Sequence, residues 1–158
     1  MTGWRIGYCA APEPLVQAMA KLQSQSTSCP NSIAQHAAIA ALDGPTDFMA
    51  GNLAAFARRR AMVVDALGAM TGVHCLIPDG AFYAYPDISA LIGRRRPDGG
   101  VIETDSDFVA ALLELGEVAV VPGVAFGLSP CFRISYAESD AALETALTRI
   151  GQVVAALD

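Results

Sequence analysis

One short apolar run near the start of the chain, Trp4-Arg5-Ile6-Gly7-Tyr8-Cys9-Ala10-Ala11, sets the strongest constraint on the fold. It reads as a buried strand, stopped by Pro12 and Pro14, with Gly3 and Gly7 as points of close backbone approach. A lone buried strand leaves its N–H and C=O groups without partners. Residues 1–45 otherwise read as two helices, so the sheet that completes this strand has to come from elsewhere. An unpaired apolar sheet edge there predicts dimerisation or disorder.

The rest of the 158-residue chain mixes strands and helices. Leu15, Ala18, Met19 and Leu22 recur at helical spacing. A second helix is expected from about Pro30 to Asp43-Gly44-Pro45. A long third one is capped by Thr46 and carries Leu53, Phe56, Arg60, Val63, Leu67 and Met70 as a narrow stripe before Gly72. Val73 to Ile77 and Ala81 to Tyr85 read as strands joined by a Pro78-Asp79-Gly80 turn. A polar excursion spans Leu91 to Thr104 and a helix Asp107 to Leu115, with Gly116 as its stop. Two more strands, Val118 to Val121 and Phe132 to Tyr136, precede a last helix with Leu143, Leu147, Ile150, Val154 and Leu157 on one face. This is an α/β or α+β pattern, with residues 46–158 holding enough elements for their own two-layer core.

Composition removes several classes. With 53% hydrophobic and 16% charged residues the chain can bury enough surface to fold, so a wholly disordered polypeptide is excluded. Nine Arg and one Lys against 16 acidic residues leave a net charge of -6, the wrong sign for a whole-surface nucleic-acid binder. The most apolar stretch, Val118 to Phe132, is broken by Pro122, Gly123, Gly127 and Pro130, so no membrane span is expected. No basic-then-apolar leader follows Met1, and a cytoplasmic location is expected. Cys9, Cys29, Cys75 and Cys131 form no Cys-x-x-Cys and read as buried thiols.

The chain contains no G-x-G-x-x-G, no Walker loop and no G-x-S-x-G elbow. His36 and His74 lack metal-ligand spacing, so no metal site is expected. Arg58-Arg59-Arg60 fans around a helix and Arg94-Arg95-Arg96 sits in a Gly/Pro loop, and both triplets read as solvated. Arg5 and Arg133 stand apart because each lies in an otherwise apolar strand-like run, the second being Cys131-Phe132-Arg133-Ile134-Ser135-Tyr136. A buried guanidinium needs an anion, and its planar fork suits phosphate or carboxylate. An internal Asp or Glu would satisfy the same need.

Met1-Thr2-Gly3-Trp4-Arg5-Ile6-Gly7-Tyr8 resembles the segment after the cofactor lysine in class I aminotransferases, the fold-type I enzymes that use pyridoxal 5′-phosphate (PLP). Ser28-Cys29-Pro30, Ile33-Ala34-Gln35, Gly80-Ala81-Phe82-Tyr83, Val120 to Gly127 and Phe132 to Ala137 resemble further motifs of that family in the right order. The resemblance is greatest to the bacterial aspartate aminotransferase subgroup and extends along nearly the whole chain. It implies the C-terminal part of such an enzyme: residues 1–45 as a remnant of the large PLP-binding domain, and 46–158 as the small α+β domain with its connecting helix.

The same resemblance implies roles. Arg5 matches the arginine that grips the PLP phosphate, and Arg133 the one that pairs with the substrate α-carboxylate. Ser28 matches a position near the subunit boundary, and Val120 to Gly127 a segment leading back to the active-site cleft. A homodimer acting on an amino acid and a 2-oxo acid is implied, with aspartate the first expectation and an aromatic or neutral amino acid the alternative. Some aspartate-specific relatives carry an arginine near Ser24, and Gln23 to Thr27 has none. The family's cofactor lysine falls ahead of Met1, and the one lysine present, Lys21, matches no catalytic position. The 158-residue chain by itself is therefore expected not to transaminate. A ligand-sensing domain of a transcriptional regulator built on the same fold, and a purely structural self-associating domain, are the competing readings.

Overall fold

The computed structural model describes residues 1–158 apart from the side chain of Thr2. The chain divides into two compact units, Met1–Met49 and Ala50–Asp158, with the division inside a helix.

In the first unit the expected strand does not form. Thr2–Trp4 makes a single 3-10 turn and residues 6–12 run as irregular chain, with Trp4 and Tyr8 52% and 80% exposed. The physical reason is the one that made the run conspicuous: every strand of the sheet lies in the second unit, so no ladder is available to it. Gly3 and Gly7 are not points of close approach either, since a Cβ on each would meet nothing within 4 Å. Helix α1 spans Glu13–Gln25, with Pro14 in its first turn where a missing N–H costs nothing. Helix α2 spans Ser32–Asp43, two residues later than expected, because the Asn31 side chain accepts the Ala34 N–H at 2.8 Å and caps it. Ala34 alone is buried among the described residues of this unit.

Helix α3 covers Phe48–Gly68, about 31 Å at 1.5 Å per residue. Its expected stripe holds only at the C-terminal end, where Val63 and Leu67 are buried while Leu53 stays 73% exposed. The second unit builds its core around that end. Strands β1 (Tyr83–Ala84), β2 (Val121–Pro122) and β3 (Phe132–Ser135) form an antiparallel sheet in the order β1-β3-β2. Tyr83 is paired with Ser135 and Val121 with Arg133. Helices α4 (Asp105–Gly116) and α5 (Asp140–Ala155) complete an α+β layer pair. Phe108, Leu112, Phe132, Ile134, Leu147 and Ile150 fill the space between. The expected apolar face of α5 is all buried, including Leu143, Val154 and Leu157.

Two local expectations fail for identifiable reasons. Val73 to Ile77 is not a strand: His74 bridges Asp87 instead, and Leu76 and Ile77 are 75% and 70% exposed. Gly116 does not stop α4. Glu117 takes the left-handed turn (φ 53), while Gly116 lies where a Cβ would sit 3.1 Å from Val153 Cγ2, so it serves the close approach of α4 to α5. The cysteines also differ from expectation. Cys131 is buried and Cys75 half-buried, but Cys9 and Cys29 are exposed, Cys9 because the run around it has no sheet to join and Cys29 in the link between α1 and α2.

Candidate functional site: an arginine between two aromatic rings

Arg133 lies in the central strand β3, and the β alternation puts Arg133 and Ser135 on one face and Phe132 and Ile134 in the core on the other. Its guanidinium carbon is 4.3 Å from the Tyr83 ring centroid and 4.2 Å from that of Phe126. Each of these rings is itself in contact with a further aromatic side chain, Tyr83 with Phe82 and Phe126 with Tyr85. A guanidinium with rings over its faces keeps its N–H edge for a planar anion. Among the described residues no ion pair satisfies Arg133 from within the chain. The half-buried cation is thus stabilised by rings and left chemically able to take a carboxylate.

The ring of Phe126 is delivered by a tightly tied turn, Gly123–Phe126, that follows β2. Gly123 donates to the Cys131 carbonyl at 2.7 Å. The Tyr85 hydroxyl shares its proton between the carbonyls of Gly123 at 2.9 Å and Leu128 at 3.1 Å. Asp105, 1% exposed, accepts the Val124 N–H at 2.9 Å. Burial, with the nearby Cys131 and Asp105, pushes the Tyr85 phenol up, Arg133 opposing, so the hydroxyl stays protonated as a donor. Tyr83 and Phe126 fall inside motifs already prominent in the sequence; Asp105 and Tyr85 were missed. Two carboxylates, Asp105 and Asp107, open α4, and the sequence carries no signal that separates the buried one from the capping one.

Arg5 stands differently from the expectation of a buried strand residue. It is exposed, with φ 53, in the turn that closes Thr2–Trp4. It belongs to the first unit and Arg133 to the second. Lys21 is exposed on α1, and Ser28 is exposed at φ 64. The Arg triplets are not merely solvated. Arg58 and Arg59 both bind Asp140, at 2.8 and 2.7 Å, and Arg60 donates to the Pro78 carbonyl at 3.0 Å. Arg96 is bound to Asp98 and Glu114, which lifts its pKa, and Arg94 donates to Leu157 O at 3.5 Å. Among the described residues no cluster of His, Cys, Asp or Glu is arranged for a metal ion, and no helix is long and apolar enough to cross a membrane.

Residues 1–150 match the family model for aminotransferases of class I and II. The chain is 55% identical over 150 residues to an aspartate aminotransferase of Rhizobium meliloti, covering 95% of this chain and 37% of the relative. It is 56% identical over 157 residues to the aspartate/prephenate aminotransferase of Cereibacter sphaeroides, covering 99% of this chain and 39% of that protein. The crystal structure of the Rhizobium meliloti aspartate aminotransferase superposes with a TM-score of 0.88 at 52% identity, over 100% of this chain and 40% of that one. The chain thus spans well under half the length of the relatives it matches. With the family model matched over residues 1–150, and relatives more than half identical over nearly the whole chain, the chain belongs to the class I and II aminotransferases.

Proposed function

We propose that this chain supplies the carboxylate-recognising part of an aminotransferase that moves an amino group from an L-amino acid, aspartate first, to a 2-oxo acid. The observation that supports it is Arg133, half-buried against the rings of Tyr83 and Phe126 and with no acidic partner among the described residues. Its fork binds the α-carboxylate at two points. The flanking rings shed water from the guanidinium faces, which strengthens the charge-assisted bonds at its edge. Ser135 lies on the same strand face, its hydroxyl accepting the Ala137 N–H at 3.2 Å.

Enzymes of this family are PLP-dependent, and the residues of this chain fit one portion of that cofactor. Arg5 is an exposed guanidinium in a tight turn, a donor set suited to the phosphate. They do not fit its amine anchor, because Lys21, the single lysine, lies exposed on a different element, α1. When bound, the cofactor supplies the electron sink for amino-group transfer. Arg5 would hold its phosphate and Arg133 would orient the substrate carboxylate. The 158-residue chain on its own binds these anions and does not transaminate.

The apolar surface of the first unit supports self-association as a homodimer. Leu15, Met19 and Leu22 line one face of α1, at 53%, 44% and 73% exposed, and Ile6, Tyr8, Ile39 and Leu42 border a cavity of about 680 Å³. The test of the functional reading is incubation with PLP, borohydride reduction and peptide mass spectrometry. Non-specific or no labelling is expected. A stoichiometric adduct at one lysine or at the N-terminus would show that the chain holds a working amine and would overturn the reading.

A further inference from the structure

We propose that Asp105 is a positioning residue for Arg133: through the Val124 N–H it fixes the turn that lays Phe126 over the guanidinium. The proposal rests on Arg133 as the carboxylate-binding group and extends it to a residue that touches neither substrate nor cofactor.

Asp105 is the buried charged residue among those described, at 1% exposed. Among the described residues no ion pair neutralises it. Burying a carboxylate without a cation is costly, so such a group is retained for what it holds. Capping α4 does not explain it. Thr104 and Asp107 already form a complete capping box, each side chain taking the other's backbone N–H. The Asp105 carboxylate instead reaches a segment 19 residues away, where Oδ2 accepts the Val124 N–H at 2.9 Å.

Val124 is the second residue of the Gly123–Phe126 turn, and its N–H has no acceptor within so short a helix. Tyr85 ties the carbonyls of Gly123 and Leu128 at the two ends of this loop. Asp105 ties the donor between them. With both ends and the donor held, the backbone that carries Phe126 is fixed, and its ring lies edge-on to Tyr85 at 6.3 Å and 4.2 Å from the Arg133 carbon. The buried carboxylate therefore acts on the guanidinium through a backbone amide and an aromatic ring.

The experiment follows the Arg133 Nε–Hε resonance of the isotopically labelled 158-residue chain, with Phe126→Leu defining its position without the ring. Asp105→Ala is expected to lose the Phe126-dependent upfield shift and to weaken maleate binding about three- to tenfold. Asp105→Asn, which keeps an acceptor but not the charge, is expected to retain a smaller shift and faster Val124 amide exchange. A wild-type Arg133 shift in Asp105→Ala overturns the proposal, since general destabilisation leaves a folded ring contact in place. Should Asp105→Ala not fold, Asp105→Asn decides: faster Val124 exchange with an unchanged Arg133 shift overturns it equally. Absence of maleate binding in the wild-type chain, with the ring shift intact, strikes the carboxylate reading and not this one.

Discussion

At the scale of single residues, the structure shows how much rests on a few backbone approaches. A Cβ on Gly123 would press on the Leu128 carbonyl and come within 2.8 Å of the Cys131 carbonyl and 2.9 Å of the Tyr85 hydroxyl. Two of these are backbone atoms that cannot swing aside, so Gly123→Ala is expected to cost about 2 kcal/mol or more in denaturant unfolding, and to displace Phe126. Asp140 offers a pH-dependent counterpart. Hydrogen bonds from Arg59 and then Arg58 hold its carboxyl below the usual carboxylate range. A depressed folded-state pKa contributes stability above the ordinary value and loses it as pH falls through the lowered one. Asp140→Asn is therefore expected to be less stable than wild type at neutral pH, with the gap closing below about pH 4. A gap that persists unchanged into acid would mean that Asp140 acts through packing and not through charge.

Elements were legible in the sequence to the degree that they satisfy themselves. Helices α2, α4 and α5 close their own hydrogen bonds, so the spacing of Phe108 and Leu112, and of Leu143, Leu147 and Ile150, was enough to find them. Strands borrow partners, and there the reading failed: Trp4 to Ala11 has the composition of a strand and no ladder to join. The same dependence shortened Val73 to Ile77 to one bridge, with Asp87 and not a neighbouring hairpin strand as partner. Start signals hidden in side-chain geometry moved boundaries by a turn or less. The Thr104–Asp107 capping box begins α4 two residues ahead of the expected Asp107. Thr104→Ala is expected to cost about 1 kcal/mol and to speed amide exchange in the first turn of α4. Of the site, Arg133 was visible because a cation in an apolar strand has few explanations. Asp105 and Tyr85 were not, because their partners are backbone atoms 19, 38 and 43 residues away.

At the scale of the whole molecule, the two units differ in how completely they bury their apolar residues. The second has a continuous core from Val63 to Leu157, whereas the first leaves Leu15, Met19, Leu22, Ile39 and Leu42 in solvent. Patches of this kind mark contact surfaces. The chain is expected to run as a dimer or larger species in light scattering and to bind a hydrophobic dye, with Leu15→Glu plus Leu22→Glu reducing both. A monomer that binds no dye would place the apolar face of α1 outside any interface.

The central claim is that Arg133 receives the substrate carboxylate in an aminotransferase, and it is tested most directly by putting this chain to work. Replacing the matching C-terminal part of the Rhizobium meliloti aspartate aminotransferase with these 158 residues, at 55% identity over the aligned 150, gives a chimera whose transamination can be measured. The account predicts an active enzyme in which Arg133→Lys lowers kcat/KM for aspartate about a hundredfold or more while borohydride still traps the cofactor. An active chimera indifferent to Arg133→Lys would contradict it.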